Sequence, residues 1–167
     1  MKTEDQLLSR SIWESLGRVM DPEIPAVSVV DMGMIREIEL RDGHAKVTVL
    51  PTFTGCPAVP IIKQDVETAT LAVPGVETVD VEFSFDPPWT PDRITPEGRR
   101  KLKEFGLAPP TGSGPVLIPE IGLPQIASCP FCGSTNTRNE SLFGPTPCRA
   151  VYYCADCRNP FEQFKDV

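Results

Sequence analysis

The 167-residue sequence has no long hydrophobic run, a single histidine and fewer basic than acidic residues. No apolar stretch approaches the roughly 18–20 residues that a membrane-spanning helix needs, so a transmembrane protein is not expected. The polar segment 1–6 does not resemble an export signal, so we expect a cytoplasmic protein. Sixteen basic against 23 acidic side chains leave no positive excess to neutralise phosphates, so nucleic-acid binding is not expected.

Six cysteines are present, and in a reducing compartment they indicate metal binding or reactivity before disulfides. Four of them form two Cys-x-x-Cys knuckles with 21 residues between: Cys129, Cys132, Cys154 and Cys157. Two such knuckles can bring four thiolates around one structural Zn²⁺, in a zinc ribbon whose hairpin strands we predict at 141–143 and 150–153. Iron, or an iron–sulfur cluster, uses the same ligands and stays open. For Cys148, both a packed small hydrophobe and an auxiliary metal ligand stay open.

Residues 1–86 carry alternating helical and strand patterns. Helical spacing of apolar residues over 8–20 and 59–73, with strand patterns at 34–40, 45–50 and 79–86, predicts the order α-β-β-α-β. The Asp42-Gly43 pair between the first two strands indicates a hairpin. We therefore predict an α+β domain in which two helices cover one face of a three-stranded mixed sheet. The stretch 23–30 is expected to be an extended connection.

Prolines dominate the middle of the sequence. Regular sheet is not expected from Pro87 to Pro124, but one helix is predicted with Thr95 as N-cap and with Leu102 and Phe105 facing inward. The predicted domains are therefore 1–86, an α-β-β-α-β domain; 87–128, a proline-rich connecting segment with one short helix; and 129–167, a four-cysteine ribbon.

One further thiol, Cys56, lies between a strand and the start of the second predicted helix. Free backbone N–H groups and the positive helix end favour a thiolate there, so we expect Cys56 to be more nucleophilic than an ordinary surface thiol. With Asp21 and Glu23 it could form a transient metal site. A packed cysteine, and carboxylates that only shape a local turn, are the alternatives. No catalytic residue is predicted.

Three short motifs together resemble the SufT-like iron–sulfur assembly domain family: Asp21-Pro22-Glu23-Ile24-Pro25, Asp31-Met32-Gly33-Met34 and Thr54-Gly55-Cys56-Pro57. The stretches 86–90, 98–106 and 143–150, with the ribbon, are similar more narrowly to the PaaD-like family of the phenylacetyl-CoA epoxidase system. The resemblance spans nearly the whole chain. It assigns the acidic motif to Asp21 and Glu23, the thiol to Cys56 and the metal ligands to the four knuckle cysteines.

This resemblance implies a role in aerobic phenylacetate degradation. In that system a diiron oxygenase and its iron–sulfur flavin reductase convert phenylacetyl-CoA to a ring epoxide. The resemblance implies an accessory protein that matures the metal centres, with both components as partners and with iron or an iron–sulfur cluster as a transient cargo. The sequence itself has no pair of Glu-x-x-His helices and no Gly-rich dinucleotide fingerprint, so we do not expect an enzyme on its own. A structural component or adaptor of the epoxidase is the alternative. The small first domain suggests either a homodimer or extra burial against the later segment.

Overall fold

The computed structural model describes residues 2–110 and 126–165, with side chains from residue 5 onward. It divides into two compact units, Met1–Trp89 and Thr90–Val167. Within the described ranges, none of the helices has the length and apolar character needed to cross a membrane. Residues 111–125 of the predicted connecting segment lie outside the described residues, and the three domain bounds stay a prediction.

The first unit has the predicted element order. Helix α1 (Lys2–Leu16) is followed by strands β1 (Ile35–Arg41) and β2 (His44–Val49), helix α2 (Val59–Leu71) and strand β3 (Thr78–Phe83). The sheet order is β1-β2-β3, with β1 antiparallel and β3 parallel to β2. The prediction of a three-stranded mixed sheet is therefore confirmed.

The hairpin between β1 and β2 turns at Asp42 and Gly43, whose φ angles are 48° and 77°. A two-residue type I′ turn requires positive φ at both central positions, which Asp and Gly tolerate. Arg41 and His44 pair across the turn. This register gives β2 a continuous buried face at its carboxyl end, where Val47 and Val49 are fully buried.

The core of the first unit lies between the helices and the sheet. Ile12 and Leu16 of α1 and Ile62 and Val66 of α2 are fully buried. The hydroxyl of Ser15 donates to the carbonyl of Ala69 at 2.8 Å and so joins the two helices. This packing joins α2 to α1 from Ile62 near its start to Ala69 near its end.

The predicted extended connection over 23–30 is wrong. This segment bends back on itself, because the N–H of Asp21 donates to the carbonyl of Val27 at 2.9 Å and Met20 bridges to Ser28. Ile24, Val27 and Val29 are buried by this fold-back. Burial of three apolar side chains, which an extended chain would leave in water, stabilises the turn.

The second unit begins with a 3-10 turn, Pro91–Arg93, and helix α3 (Pro96–Glu104). Thr95 caps α3 as predicted, since its hydroxyl accepts from the N–H of Gly98 at 2.9 Å. Leu102 is buried, but the prediction that Phe105 faces inward is wrong, since half of it is exposed. The helix ends before Phe105, and Gly106 (φ 88°) redirects the chain.

A four-stranded sheet forms the rest of the second unit. Its strands are β4 (Leu107–Ala108), β5 (Thr137–Ser141), β6 (Arg149–Cys154) and β7 (Pro160–Phe164), in the order β4-β7-β6-β5. The expectation of no regular sheet between Pro87 and Pro124 is wrong at β4, which pairs in parallel with β7. The first hairpin strand, expected at 141–143, instead ends at Ser141, and β7 was not predicted.

Candidate metal centre and thiol site

The first knuckle, residues 129–134, is closed by backbone hydrogen bonds. The N–H of Gly133 donates to the carbonyl of Cys129, and the N–H of Cys129 donates to the carbonyl of Ser134, both at 2.9 Å. Gly133 has φ 77°, a conformation that side chains disfavour, and this lets the chain reverse within the knuckle. The reversal places the sulfurs of Cys129 and Cys132 in one cluster.

The second knuckle, residues 154–159, begins at the last residue of β6. The N–H of Cys154 donates to the carbonyl of Asn159 at 3.0 Å, and Arg158 takes a left-handed conformation with φ 59°. The N–H of Ala155 donates to the carbonyl of Asn136 at 3.0 Å. The sheet and this bond hold the second knuckle opposite the first.

The four knuckle sulfurs converge. All four Sγ atoms lie within 4.8 Å of one another. The Sγ atoms of Cys129 and Cys157, and those of Cys132 and Cys154, are 3.6 Å apart. A tetrahedron with Zn–S bonds of about 2.3 Å places its sulfurs about 3.8 Å apart, so these donors fit a tetrahedral ion. Among the described residues, this is the group of three or more His, Cys, Asp or Glu that has ligand atoms so close.

The thiols of this cluster ionise unequally. Burial opposes ionisation of Cys157, but hydrogen bonds from the backbone and side chain of Asn159 and from neighbouring thiols lower its pKa to about 7. For Cys132, the backbone N–H of Ser134 favours the thiolate, but desolvation and the other three cysteines raise the pKa to about 12. Four adjacent thiolates would repel one another, and a divalent cation removes this repulsion.

A polar network joins the two knuckles. The carboxylate of Asp156 accepts from the hydroxyl of Ser134 at 2.5 Å and from the side-chain amide of Asn136 at 2.8 Å. These hydrogen bonds, from Ser134 first, lower the pKa of Asp156. The ionised carboxylate therefore fixes the spacing of the two knuckles. This network could have been suspected from Ser134 and Asp156, which each lie two residues from a knuckle cysteine.

Cys148 lies outside the sulfur cluster. It is buried, and its sulfur is 3.1 Å from the hydroxyl of Thr146. Its carbonyl accepts from the N–H of Lys165 at 2.8 Å. These contacts agree with a packed thiol, and a role as auxiliary ligand stays a prediction without support from this geometry.

Cys56 lies between two consecutive turns just before α2. Its N–H donates to the carbonyl of Phe53 at 3.2 Å, and its carbonyl accepts from the N–H of Val59 at 3.3 Å. The side chain is half-buried. Helix α2 starts at Val59 with no side-chain cap, no acidic residue in its first turn and Pro60 at its second position. The positive end of the helix is thus uncompensated by a side chain close to this thiol.

The predicted acidic partners lie in the turn after α1. Oδ1 of Asp21 accepts from the N–H of Glu23 at 2.8 Å and from that of Ile24 at 2.9 Å. Asp21 therefore shapes this turn, as one of the alternatives stated. Within the described residues, Cys56, Asp21 and Glu23 are not among the groups whose ligand atoms lie within 4.8 Å.

The sequence did not indicate a cleft in the second unit. It has a volume of about 570 Å³, and three of the four phenylalanines that line it are half or more exposed: Phe105 50%, Phe131 57% and Phe143 82%; the fourth, Phe161, is buried. The salt bridge between Arg149 and Glu162 (3.0 Å) lies in its wall. In the sequence, the Gly144-Pro145 pair directly after Phe143 indicates a turn. It could have predicted that Phe143 lies at an exposed turn and not in a strand.

Two family descriptions match this chain. "Iron-sulfur cluster assembly protein" matches residues 9–82, and "PaaD zinc beta ribbon domain" matches residues 119–165. The first match contains both acidic motif residues and Cys56, and the second contains the four knuckle cysteines and Cys148.

Known relatives agree with both parts. An Escherichia coli (strain K12) protein named as a component of a 1,2-phenylacetyl-CoA epoxidase is 37% identical over 156 residues, 93% of this chain and 92% of the relative. An Fe-S protein maturation auxiliary factor of Bacillus subtilis (strain 168) is 33% identical, over 54% of this chain and 89% of that protein. The crystal structure of a domain of unknown function (DUF59) from Bacillus anthracis aligns with TM-score 0.55 and 26% identity, covering 58% of this chain and 92% of its own.

Proposed function

The chain belongs to the PaaD-like family, and on this premise we propose that it is an accessory protein that assembles or inserts iron or iron–sulfur centres of a phenylacetyl-CoA epoxidase. The observation that carries the proposal is the half-buried Cys56 at the start of α2, inside the part of the chain that matches iron–sulfur assembly proteins. We assign this thiol the role of holding the cargo.

The surroundings of Cys56 suit a cargo that must leave again. A thiolate is the ligand that iron–sulfur clusters use, and a helix N-terminus favours the thiolate over the thiol. One thiolate from one chain leaves most of the coordination of iron to other donors. A client or a second copy of this chain can therefore take over the cargo by ligand exchange.

Asp21 and Glu23 are proposed to assist Cys56 in different ways. Asp21 fixes the turn through two backbone N–H groups, and this holds the backbone of Glu23 in place. Glu23 supplies the carboxylate that we assign to the cargo. Iron accepts both thiolate and carboxylate donors, so such a mixed set agrees with a temporary rather than a permanent site.

The ribbon is proposed to bind its own structural metal, zinc, through Cys129, Cys132, Cys154 and Cys157. Zinc carries no redox chemistry, so its contribution would be to hold the two knuckles together. The ribbon then serves to dock the client, which we propose to be the oxygenase or the iron–sulfur reductase in the cytoplasm. A homodimer would supply a second Cys56 to the cargo.

The substitution Cys56→Ser tests the transfer role. The variant is co-expressed with the oxygenase and the reductase, and iron and acid-labile sulfide are measured in both clients. We expect the iron content of a client to fall while the client itself accumulates normally. Cys148→Ala removes a sulfur from the second unit and serves as the matched control, with no expected loss. Unchanged client metal with Cys56→Ser would refute the transfer role.

The cleft in the second unit favours a second candidate, an adaptor that binds the oxygenase without transferring metal. Exposed aromatic residues around a concave surface mark protein interaction sites. If this candidate is correct, Phe143→Ser abolishes stoichiometric co-purification with the oxygenase, whereas Cys56→Ser changes neither binding nor client metal.

A further inference from the structure

We propose that the contact between the ring of Phe53 and the backbone of Gly55 positions the thiol of Cys56, so that Phe53 and Gly55 are positioning residues. The proposal rests on the function proposed above only in its use of Cys56. Both residues act through the geometry of the turn, and neither contributes a group that reacts or binds the cargo.

The first observation concerns the backbone hydrogen bonds of the turn that carries Cys56. Phe53 and Cys56 are joined by the hydrogen bond from the N–H of Cys56 to the carbonyl of Phe53. Gly55 lies between them, and Cys56 in turn accepts from Val59 at the start of α2. A displacement of residues 53–55 is therefore transmitted directly to Cys56 and to the angle at which the chain enters the helix.

The second observation concerns the space that a side chain at residue 55 would occupy. A Cβ atom at this residue would lie 3.1 Å from Cε1 of Phe53, closer than an ordinary van der Waals contact. The nearest atoms to that Cβ position all belong to the Phe53 ring. The half-buried ring therefore occupies the space beside Gly55 that a side chain would need, and it limits how the turn can relax.

These observations predict that a methyl group at residue 55 changes the position of Cys56 relative to α2. Gly55→Ala pushes the ring and the turn apart, which moves Cys56 relative to the N-terminus of α2. A shorter side chain at residue 53 removes the atom that the methyl group would meet. Phe53→Leu in the Gly55→Ala background should therefore restore the turn.

The experiment measures alkylation of Cys56 by iodoacetamide across a pH series, read by mass spectrometry of the peptide that contains it. Gly55→Ala is expected to shift the midpoint of the pH profile upward by at least about half a unit, or about threefold in rate at neutral pH. The double variant Phe53→Leu/Gly55→Ala is expected to recover most of the wild-type rate. Gly17→Ala is the matched control, because its Cβ would meet only ordinary contacts of 3.4 Å or more.

An unchanged profile in Gly55→Ala, or no recovery in the double variant, overturns the proposal. If Gly55→Ala does not fold, as judged by tryptophan fluorescence, Phe53→Leu alone supplies the test. It is expected to shift the profile by the same small amount as the double variant, because the ring limits the turn in neither protein, and an unchanged profile again overturns the proposal. The metal content of the clients, measured with the same variants, separates the positioning of Cys56 from its proposed role in metal transfer. A shifted alkylation profile with normal client metal supports the positioning and contradicts the metal transfer.

Discussion

Removal of the metal from the ribbon is expected to unfold the second unit and leave the first unit folded. The perturbation is incubation with a zinc chelator such as EDTA. The buried cluster beside the sulfurs is small: apart from cysteines it consists of Ala108, Ala127, Ala150, Tyr152 and Phe161, while Leu102, Leu107 and Phe164 are the larger buried side chains elsewhere in the unit. The first unit has its own core, built from α1, α2 and β2.

The free energy of zinc binding decides whether the second unit stays folded without the metal. Binding of a structural zinc ion contributes about 10–16 kcal/mol in small zinc domains, whereas whole domains unfold with a free energy of about 5–15 kcal/mol. The stacked pair Tyr152 and Phe161, with ring centroids 5.7 Å apart, is the main aromatic packing of the cluster and contributes about 0.5–1.5 kcal/mol beyond its burial. Loss of the metal would therefore remove an amount of free energy comparable to the stability of a typical domain.

The chain offers separate optical signals for the two units. Both tryptophans, Trp13 and Trp89, lie in the first unit, and both tyrosines, Tyr152 and Tyr153, lie in the second. After chelation we expect the tyrosine near-ultraviolet circular dichroism to be lost while the tryptophan fluorescence keeps its cooperative thermal transition. A cooperative tyrosine transition that persists without metal would refute the reasoning.

A pair of cysteine variants sharpens this prediction. Cys132→Ser removes one of the four converging sulfurs, and Cys148→Ala removes a buried sulfur outside the cluster. We expect Cys132→Ser to bind zinc weakly and to lose the tyrosine signal. Cys148→Ala should retain one zinc per chain, because it leaves the four donors intact. Equal zinc loss in both variants would show that the cluster is not the binding site.

Three further predictions concern pH and local hydrogen bonds. Because the pKa of Cys157 is about 7, its thiol carries a proton that zinc must displace below pH 7 but not well above it, so the logarithm of the zinc affinity should fall more steeply with acid below pH 7 than above it, as measured by chelator competition. The hydrogen bonds from Ser134 and Asn136 join the ionised Asp156 to the first knuckle, so Asp156→Ala should speed zinc release to a chelator, and Asp156→Asn should do so less. Thr95→Ala removes the cap of α3 and should lower the free energy of unfolding of the second unit by about 1 kcal/mol in denaturant titration, whereas Thr95→Ser should not.

The elements that could be predicted from the sequence depend on local patterns. Strand alternation over 79–85 and the Asp42-Gly43 turn predict β3 and the first hairpin, because both the period of two and the positive φ are local properties. The Cys-x-x-Cys spacing predicts that four sulfurs can converge, since each knuckle needs only a short turn. In each case the residues that decide the structure are close in sequence.

The parts that were wrong depend on contacts that no periodic pattern in the sequence displays. Strand β4 has only two residues and forms by pairing with Glu162 and Gln163 of β7, far along the chain. No propensity scale detects such a short strand. The fold-back after α1 is fixed by the carboxylate of Asp21, whose two N–H donors are visible only in three dimensions. The exposure of Phe105 follows from the end of α3 one residue earlier.

The most direct test of the account is the metal content of the chain after anaerobic reconstitution with ferrous iron and sulfide. We expect the wild-type chain to retain zinc in the ribbon and to hold additional iron. We expect Cys56→Ser to lose this iron but to keep the zinc. Equal iron in both proteins, or iron that depends on Cys129 and Cys154 instead, would contradict the assignment of the cargo to Cys56.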